Sequence, residues 1–200
     1  MGFIYLLGKT SIGLYMRFTY KIKITGHENI PKKGSAILCC NHLSVIDPMI
    51  LASCIKRPVH FLAKKELYTN WFFKFILKGC KTIPIDRSRN DTEAYKKTLD
   101  VLKKGKMAGI FAAGTRKKEG EDETGAKSGV ALFAAKSGAP VIPVCISASY
   151  KKRSPVYINI GKPVDLTEFL ADGQKIKSSV INEMAAKIMR DVTALSIEVE

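Results

Sequence analysis

The sequence predicts a three-layer αβα domain of the α/β class, built around a mixed, largely parallel sheet and preceded by a short N-terminal interfacial helical segment. Three observations predict it. Apolar runs of strand length recur, as at residues 35–40 and 141–146. Amphipathic stretches of helical spacing alternate with them, as at 92–104. The 200 residues are 46% hydrophobic, enough for one full core. No internal repeat or linker divides the chain. The expected organisation is a membrane-interface segment over residues 1–20 and one domain over 21–200.

Each element follows in order. Residues 3–18 are apolar and aromatic but are broken by Gly8, Lys9, Gly13 and Arg17. The run is too short and interrupted to span a bilayer, and it lacks the basic leader and small-residue cleavage site of a signal peptide. It reads as a helix in the headgroup zone, with a helix packed on the core as the competing reading. Residues 20–25 alternate as a strand, 26–34 form a turn-rich connection, and 35–40 read as a buried strand. Residues 48–55 form a helix, and 59–63 a strand delivering Lys64 and Lys65 at its end. Residues 71–78 are apolar nearly all round yet carry Lys74 and Lys78, which fits deep burial or, given the charge pattern, lipid contact. Strands follow at 81–85 and 107–112, separated by the 92–104 helix. A charged loop spans 117–125, a helix 128–137, and strands 141–146 and 156–160. From Gln174 onward, apolar residues from Ile176 to Leu195 recur at helical spacing and should pack one face on the sheet.

The charge is uneven. With 33 Lys+Arg against 18 Asp+Glu the net charge is +15, and residues 165–200 hold four basic and seven acidic residues. The remaining 164 residues therefore carry 29 basic against 11 acidic. Such a field concentrates anions. No aromatic RNP pattern or KH-type loop is present, so phosphate or anionic lipid is expected and nucleic acid is not. Five cysteines, an odd number without a CxxC pair, read as buried reduced thiols of a cytosolic protein.

The most informative stretch is Asn41-His42-Leu43-Ser44-Val45-Ile46-Asp47-Pro48, directly after a strand. Ligands and chemistry in open α/β sheets gather at the carboxyl ends of strands. On one unbroken helix the five-residue step from His42 to Asp47 is about 500° of rotation, leaving the side chains about 140° apart. A turn between them would instead let the carboxylate accept the Nδ1 proton and leave Nε2 to take a proton from a substrate hydroxyl. The competing reading is a helix N-cap at Asp47 with Pro48 at the first helical position. Two further strand ends carry Arg87 and Gly114-Thr115-Arg116, groups suited to gripping a phosphate. A metal-dependent phosphohydrolase is disfavoured, because His27, His42 and His60 lack ligand spacing.

Asn41-His42 with Asp47 resembles the NHxxxxD box of the glycerolipid acyltransferase superfamily. Ile83-Pro84-Ile85-Asp86-Arg87 resembles its second block, Gly114-Thr115-Arg116 the end of its FPEGTR block, and Val141-Ile142-Pro143-Val144 its last. Gly26-His27-Glu28-Asn29-Ile30-Pro31 is also similar to the family, and the blocks occur in family order. The resemblance implies transfer of a fatty acyl group from acyl-CoA or acyl carrier protein to the sn-2 hydroxyl of lysophosphatidic acid, giving phosphatidic acid. It implies His42 as general base oriented by Asp47, with Arg87, Gly114, Thr115, Arg116 and Lys127 around the phosphate. It implies no metal or prosthetic group, and a peripheral or monotopic place on an anionic membrane surface, at the cytoplasmic face of the cell membrane. Ala112 and Ala113 depart from the family's proline and glutamate, so impaired activity is expected. Another lysolipid or glycerol 3-phosphate as acceptor, or a non-catalytic lipid-binding protein, are the alternative readings.

Overall fold

In the computed structural model, residues 3–86, 91–114, 123–169 and 177–199 are described. Six helices are α1 (Phe3–Thr19), α2 (Asp47–Cys54), α3 (Trp71–Gly79), α4 (Thr92–Lys103), α5 (Glu123–Ser137) and α6 (Ser178–Ala194) among these residues. Seven strands are β1 (Lys21–Thr25), β2 (Ala36–His42), β3 (Val59–Lys64), β4 (Ile83–Ile85), β5 (Met107–Gly114), β6 (Val141–Ala148) and β7 (Pro155–Ile160). They form one sheet in the order β1-β7-β6-β2-β5-β3-β4. Every neighbouring pair is parallel except β6 with β7. That exception has a simple cause: the few residues between β6 and β7 are too short for a crossover, so the chain must turn straight back. The sheet is thus mixed and largely parallel, with helices on both faces, as the sequence predicted. Strands β2 to β6 all point their carboxyl ends to one edge.

Burial on two faces explains the unbroken apolar runs. Along β2, side chains alternate with period two. Ile37 and Cys39 join Leu102 of α4, Val130 and Phe133 of α5, and Met184 and Ile188 of α6 on one face. Leu38 and Cys40 join Met16 of α1 and Ile50 and Leu51 of α2 on the other.

Residues 3–18 form a helix with one side packed on the core. Tyr5 and Met16 of α1 are buried, while Leu6, Leu7, Leu14, Tyr15 and Phe18 on the opposite stripe are exposed. Lys9, on the buried side, donates to the carbonyls of Ile55 and Lys56 just past the end of α2. A cation at a helix C-terminus satisfies carbonyls that lack helical partners. Burial lowers the pKa of that ammonium.

Several boundaries shift from expectation: α5 begins at Glu123, inside the loop expected at 117–125 and ahead of residue 128, and β5 and β6 run on to Gly114 and Ala148. Two of the shifts have a visible cause. The strand expected at 81–85 begins at Ile83, because Lys81, at φ 59°, and Thr82 donate backward to Lys78 and Leu77 and close the end of α3. The strand expected to stop at residue 40 continues through His42, because β5 keeps pairing beside it.

Candidate active site

Where β2 leaves the sheet, its pairing changes. The β2–β6 ladder ends at Cys40 opposite Val144. The Asn41 side chain supplies one more rung, its Nδ2 donating to the Ile146 carbonyl at 2.8 Å and its Oδ1 accepting from the Ile146 N–H at 2.7 Å. An amide is suited to this because it carries donor and acceptor side by side. On the other flank the register steps from Cys40–Phe111 to Asn41–Ala113 and His42–Gly114. This bulge passes over Ala112, which is buried against the helix layer of α4 to α6. Bulges of this kind re-aim side chains near active sites.

The chain then turns, and Asp47 opens α2. Its carboxylate bends back to the turn instead of capping the helix. Oδ2 accepts from the Leu43 and Ser44 N–H groups, each at 2.7 Å, and from His42 Nδ1 at 2.8 Å. Oδ1 accepts from the Tyr150 hydroxyl. The residue before the helix, Ile46, makes no side-chain cap, so the capping reading of Asp47 gives way. Pro48 does sit in the first turn. Asp47 is 0% exposed, and a carboxylate so buried is tolerable because every donor points at it.

An ionised carboxylate can only accept, so the proton between it and the ring belongs to Nδ1 and the lone pair to Nε2. The His42 side chain is 22% exposed. Among the described residues its Nε2 has no partner, which leaves it open to an incoming hydroxyl. The ring leans on Phe111 at 4.6 Å between centroids, and Phe111 stacks on Phe61 at 5.6 Å. Gly109 makes room for this stack, since a Cβ there would lie 2.4 Å from the Phe61 ring.

The structure therefore brings His42 and Asp47 together, and the register sets Ala113 and Gly114 of β5 directly beside Asn41 and His42. Arg87, Thr115 and Arg116 lie outside the described residues. Lys127 belongs to α5, and its side chain is likewise outside them. Sequence reasoning missed Tyr150, the rung made by Asn41, and the Phe111 ring. Asn41 stood inside the recognised box, but its partner is 105 residues away. Tyr150 carried no signal beyond following an apolar strand.

Two competing chemistries lack support. All five cysteines are free, and burial pushes the Cys39 thiol up to about 12 and raises that of Cys40 well above its ordinary value, so neither is a ready nucleophile. Among the described residues, no group of three or more His, Cys, Asp or Glu could hold a metal ion.

The acyltransferase family model matches residues 21–147, and the chain belongs to that family. It is similar to the 1-acyl-sn-glycerol-3-phosphate acyltransferase of Bacillus subtilis (strain 168), 27% identical over 154 residues that cover 74% of this chain and 76% of that one. The enzyme of that name from Borreliella burgdorferi is 27% identical over 203 residues, covering 96% and 80%. The crystal structure of the 1-acyl-sn-glycerophosphate (LPA) acyltransferase PlsC from Thermotoga maritima shares the fold, with a TM-score of 0.68, 23% identity, and coverage of 98% of this chain and 80% of that one. The superfamily inferred from the sequence blocks is the one found.

Proposed function

We propose that the chain is a 1-acylglycerol-3-phosphate O-acyltransferase. The observation that carries the reading is the His42–Asp47 pair at 2.8 Å with Nε2 left unpartnered among the described residues. In the proposed reaction Nε2 takes the proton of the sn-2 hydroxyl as its oxygen attacks the thioester carbonyl of acyl-CoA or acyl carrier protein. The tetrahedral intermediate collapses, the C–S bond breaks, and the departing thiolate takes the proton back from the imidazolium. Asp47 holds the tautomer and balances the transient positive charge. The thioester is already activated, so positioning and general-base catalysis suffice without a metal or prosthetic group. Arg87, Gly114, Thr115 and Arg116, with Lys127, are the proposed grip on the phosphate.

An anionic bilayer is the proposed working surface, at the cytoplasmic face of the membrane. The exposed stripe of α1 supports this, with Arg17 at its end and Trp71 79% exposed on α3. Val45 and Met49 add exposed apolar groups on the turn and helix that carry Asp47. Among the described residues no helix is long and apolar enough to cross a membrane.

The alanines at 112 and 113 favour a second reading, a lipid-binding protein with little or no turnover. Ala112 occupies a bulge that the β2 ladder passes over, a position where proline is tolerated, so the family residue would fit. Transfer of radiolabelled acyl groups to lysophosphatidate in mixed micelles decides between the readings. The Ala112→Pro, Ala113→Glu protein should transfer faster than the parent, and His42→Ala in that background should lower transfer by roughly 10²- to 10⁴-fold. Background-level transfer by the double variant would leave the lipid-binding reading in possession.

A further inference from the structure

We propose that Tyr150 is a positioning residue for the His42–Asp47 pair, the one donor on the far oxygen of the carboxylate. Asp47 receives four donors among the described residues, and three of them come from the turn that it closes. Among the described residues only Tyr150 reaches it from elsewhere in the chain, and only Tyr150 serves Oδ1. The family match ends at residue 147, so this contact lies outside the segment on which membership rests.

The placement is built. Tyr150 follows β6 with φ 56°, a left-handed backbone that side-chain-bearing residues rarely adopt. The loop holding it there is tied, just past Tyr150, to the segment around Tyr20: Arg153 N–H donates to the Thr19 carbonyl at 2.8 Å, and Lys21 N–H to that of Ser154 at 3.1 Å. The Tyr20 ring meets Tyr150 edge-on, with centroids 5.8 Å apart and planes at 82°. The titratable groups facing the cluster are His42 and Cys40 from β2 and Tyr20 from the junction between α1 and β1. Burial, then the bond to Asp47, raises the Tyr150 pKa, so the phenol stays a donor across the working pH range.

Two consequences follow. Without the phenol, a fully buried carboxylate oxygen has no donor, and the group is free to rotate and exchange Oδ1 for Oδ2 beneath the imidazole. With it, part of the negative charge is drawn to Oδ1, which moderates the pull of Oδ2 on the ring and fixes its direction. Loss of the donor therefore changes the strength and the direction of the bond that Oδ2 makes with Nδ1.

The proposal rests on the acyl-transfer reading for its kinetic arm only. Nitrogen-15 shifts of the His42 ring, which report tautomer and the Nδ1 hydrogen bond, are read first in the protein without substrate. Tyr150→Phe keeps the ring and its contact with Tyr20, and should displace those shifts; Tyr20→Phe should not. In the Ala112→Pro, Ala113→Glu background, Tyr150→Phe should lower kcat about tenfold, the scale of one lost bond to a charged group, with KM for lysophosphatidate nearly unchanged. Site-specific 3,5-difluorotyrosine at 150, a stronger donor of nearly the same shape, should move the shifts in the opposite direction and serves where the phenylalanine variant folds poorly. Unmoved His42 shifts in both variants, with or without a loss of thermal stability, would overturn the assignment. Moved shifts in a protein that transfers no acyl group would uphold it and sink the enzymatic reading instead.

Discussion

At the amino edge of the parallel strands, Arg57 donates to the carbonyls of Pro31, Gly34 and Gly105 at 2.6, 2.5 and 3.1 Å, drawing together the loops that enter β2, β3 and β5. At the carboxyl edge, Asp47 collects donors from His42, Leu43, Ser44 and Tyr150. The two clusters are alike in having one ionic group, several short hydrogen bonds and at least one partner far away in sequence. They differ in what is left over. A guanidinium facing carbonyls has one protonation state and nothing further to give, so it acts as a fastener. The imidazole at the other edge has one nitrogen committed and the other holding a lone pair near solvent. Hydrogen-bond density marks both places; the unspent atom separates chemistry from support.

The largest expected effect tests that separation directly. His42→Ala should cost roughly 10²- to 10⁴-fold in turnover, the usual range for a general base, while the protein stays folded. Arg57→Ala should do the reverse. It lowers unfolding stability by about 2 kcal/mol, within the range for bonds to a charged group, while the folded fraction keeps its turnover. Comparable stability losses in the two variants by urea titration, or comparable turnover losses, would erase the distinction.

Asp47→Asn should come next, because it strikes both properties. An amide cannot accept at both positions, so either the turn N–H groups or His42 loses its partner. We expect at least tenfold lower turnover together with about 1 to 3 kcal/mol of lost stability. A variant that loses stability alone would reduce the carboxylate to a turn fastener like Arg57. Asn41→Ala should be milder. It strips Ile146 of two rung partners beyond the end of the ladder, costing about 1 to 2 kcal/mol by thermal unfolding, with a smaller fall in turnover as His42 loses its footing.

The same contrast explains what could be read from the chain. Strand positions were legible, though not their order in the sheet, because two-faced burial forces continuous apolar runs such as residues 141–146. The pairing of His42 with Asp47 was legible because both lie in one local turn, where five residues and a proline decide the geometry. Arg57 was not, since its three carbonyl partners come from loops at residues 31, 34 and 105 and any side chain could have supplied the carbonyls. Tyr150 was hidden for the same reason, its partner being 103 residues away. The N-terminal helix divided evenly between two readings because periodicity alone does not say which of two apolar stripes meets the core; Met16 does and Phe18 does not.

The smallest effect concerns the buried imidazole on the amino side of the contrast. His60 of β3 is 9% exposed and sets Nδ1 3.2 Å from the Met107 carbonyl. Burial is the chief reason its pKa is lowered; Lys106 and Lys81 add to the effect, and the Met107 bond partly offsets it. The unfolded side chain titrates near 6.5, so below about that pH the unfolded state binds a proton that the folded state refuses. Stability should be independent of this group above about pH 6.5 and should fall as the pH drops beneath it, by at most about 1.4 kcal/mol per unit. Urea unfolding at successive pH values should show that slope in the parent and a shallower one in His60→Gln. A slope that survived unchanged in His60→Gln would mean that the sheet interior does not hold the ring that resists protonation, and the division between support and chemistry would have to be drawn elsewhere.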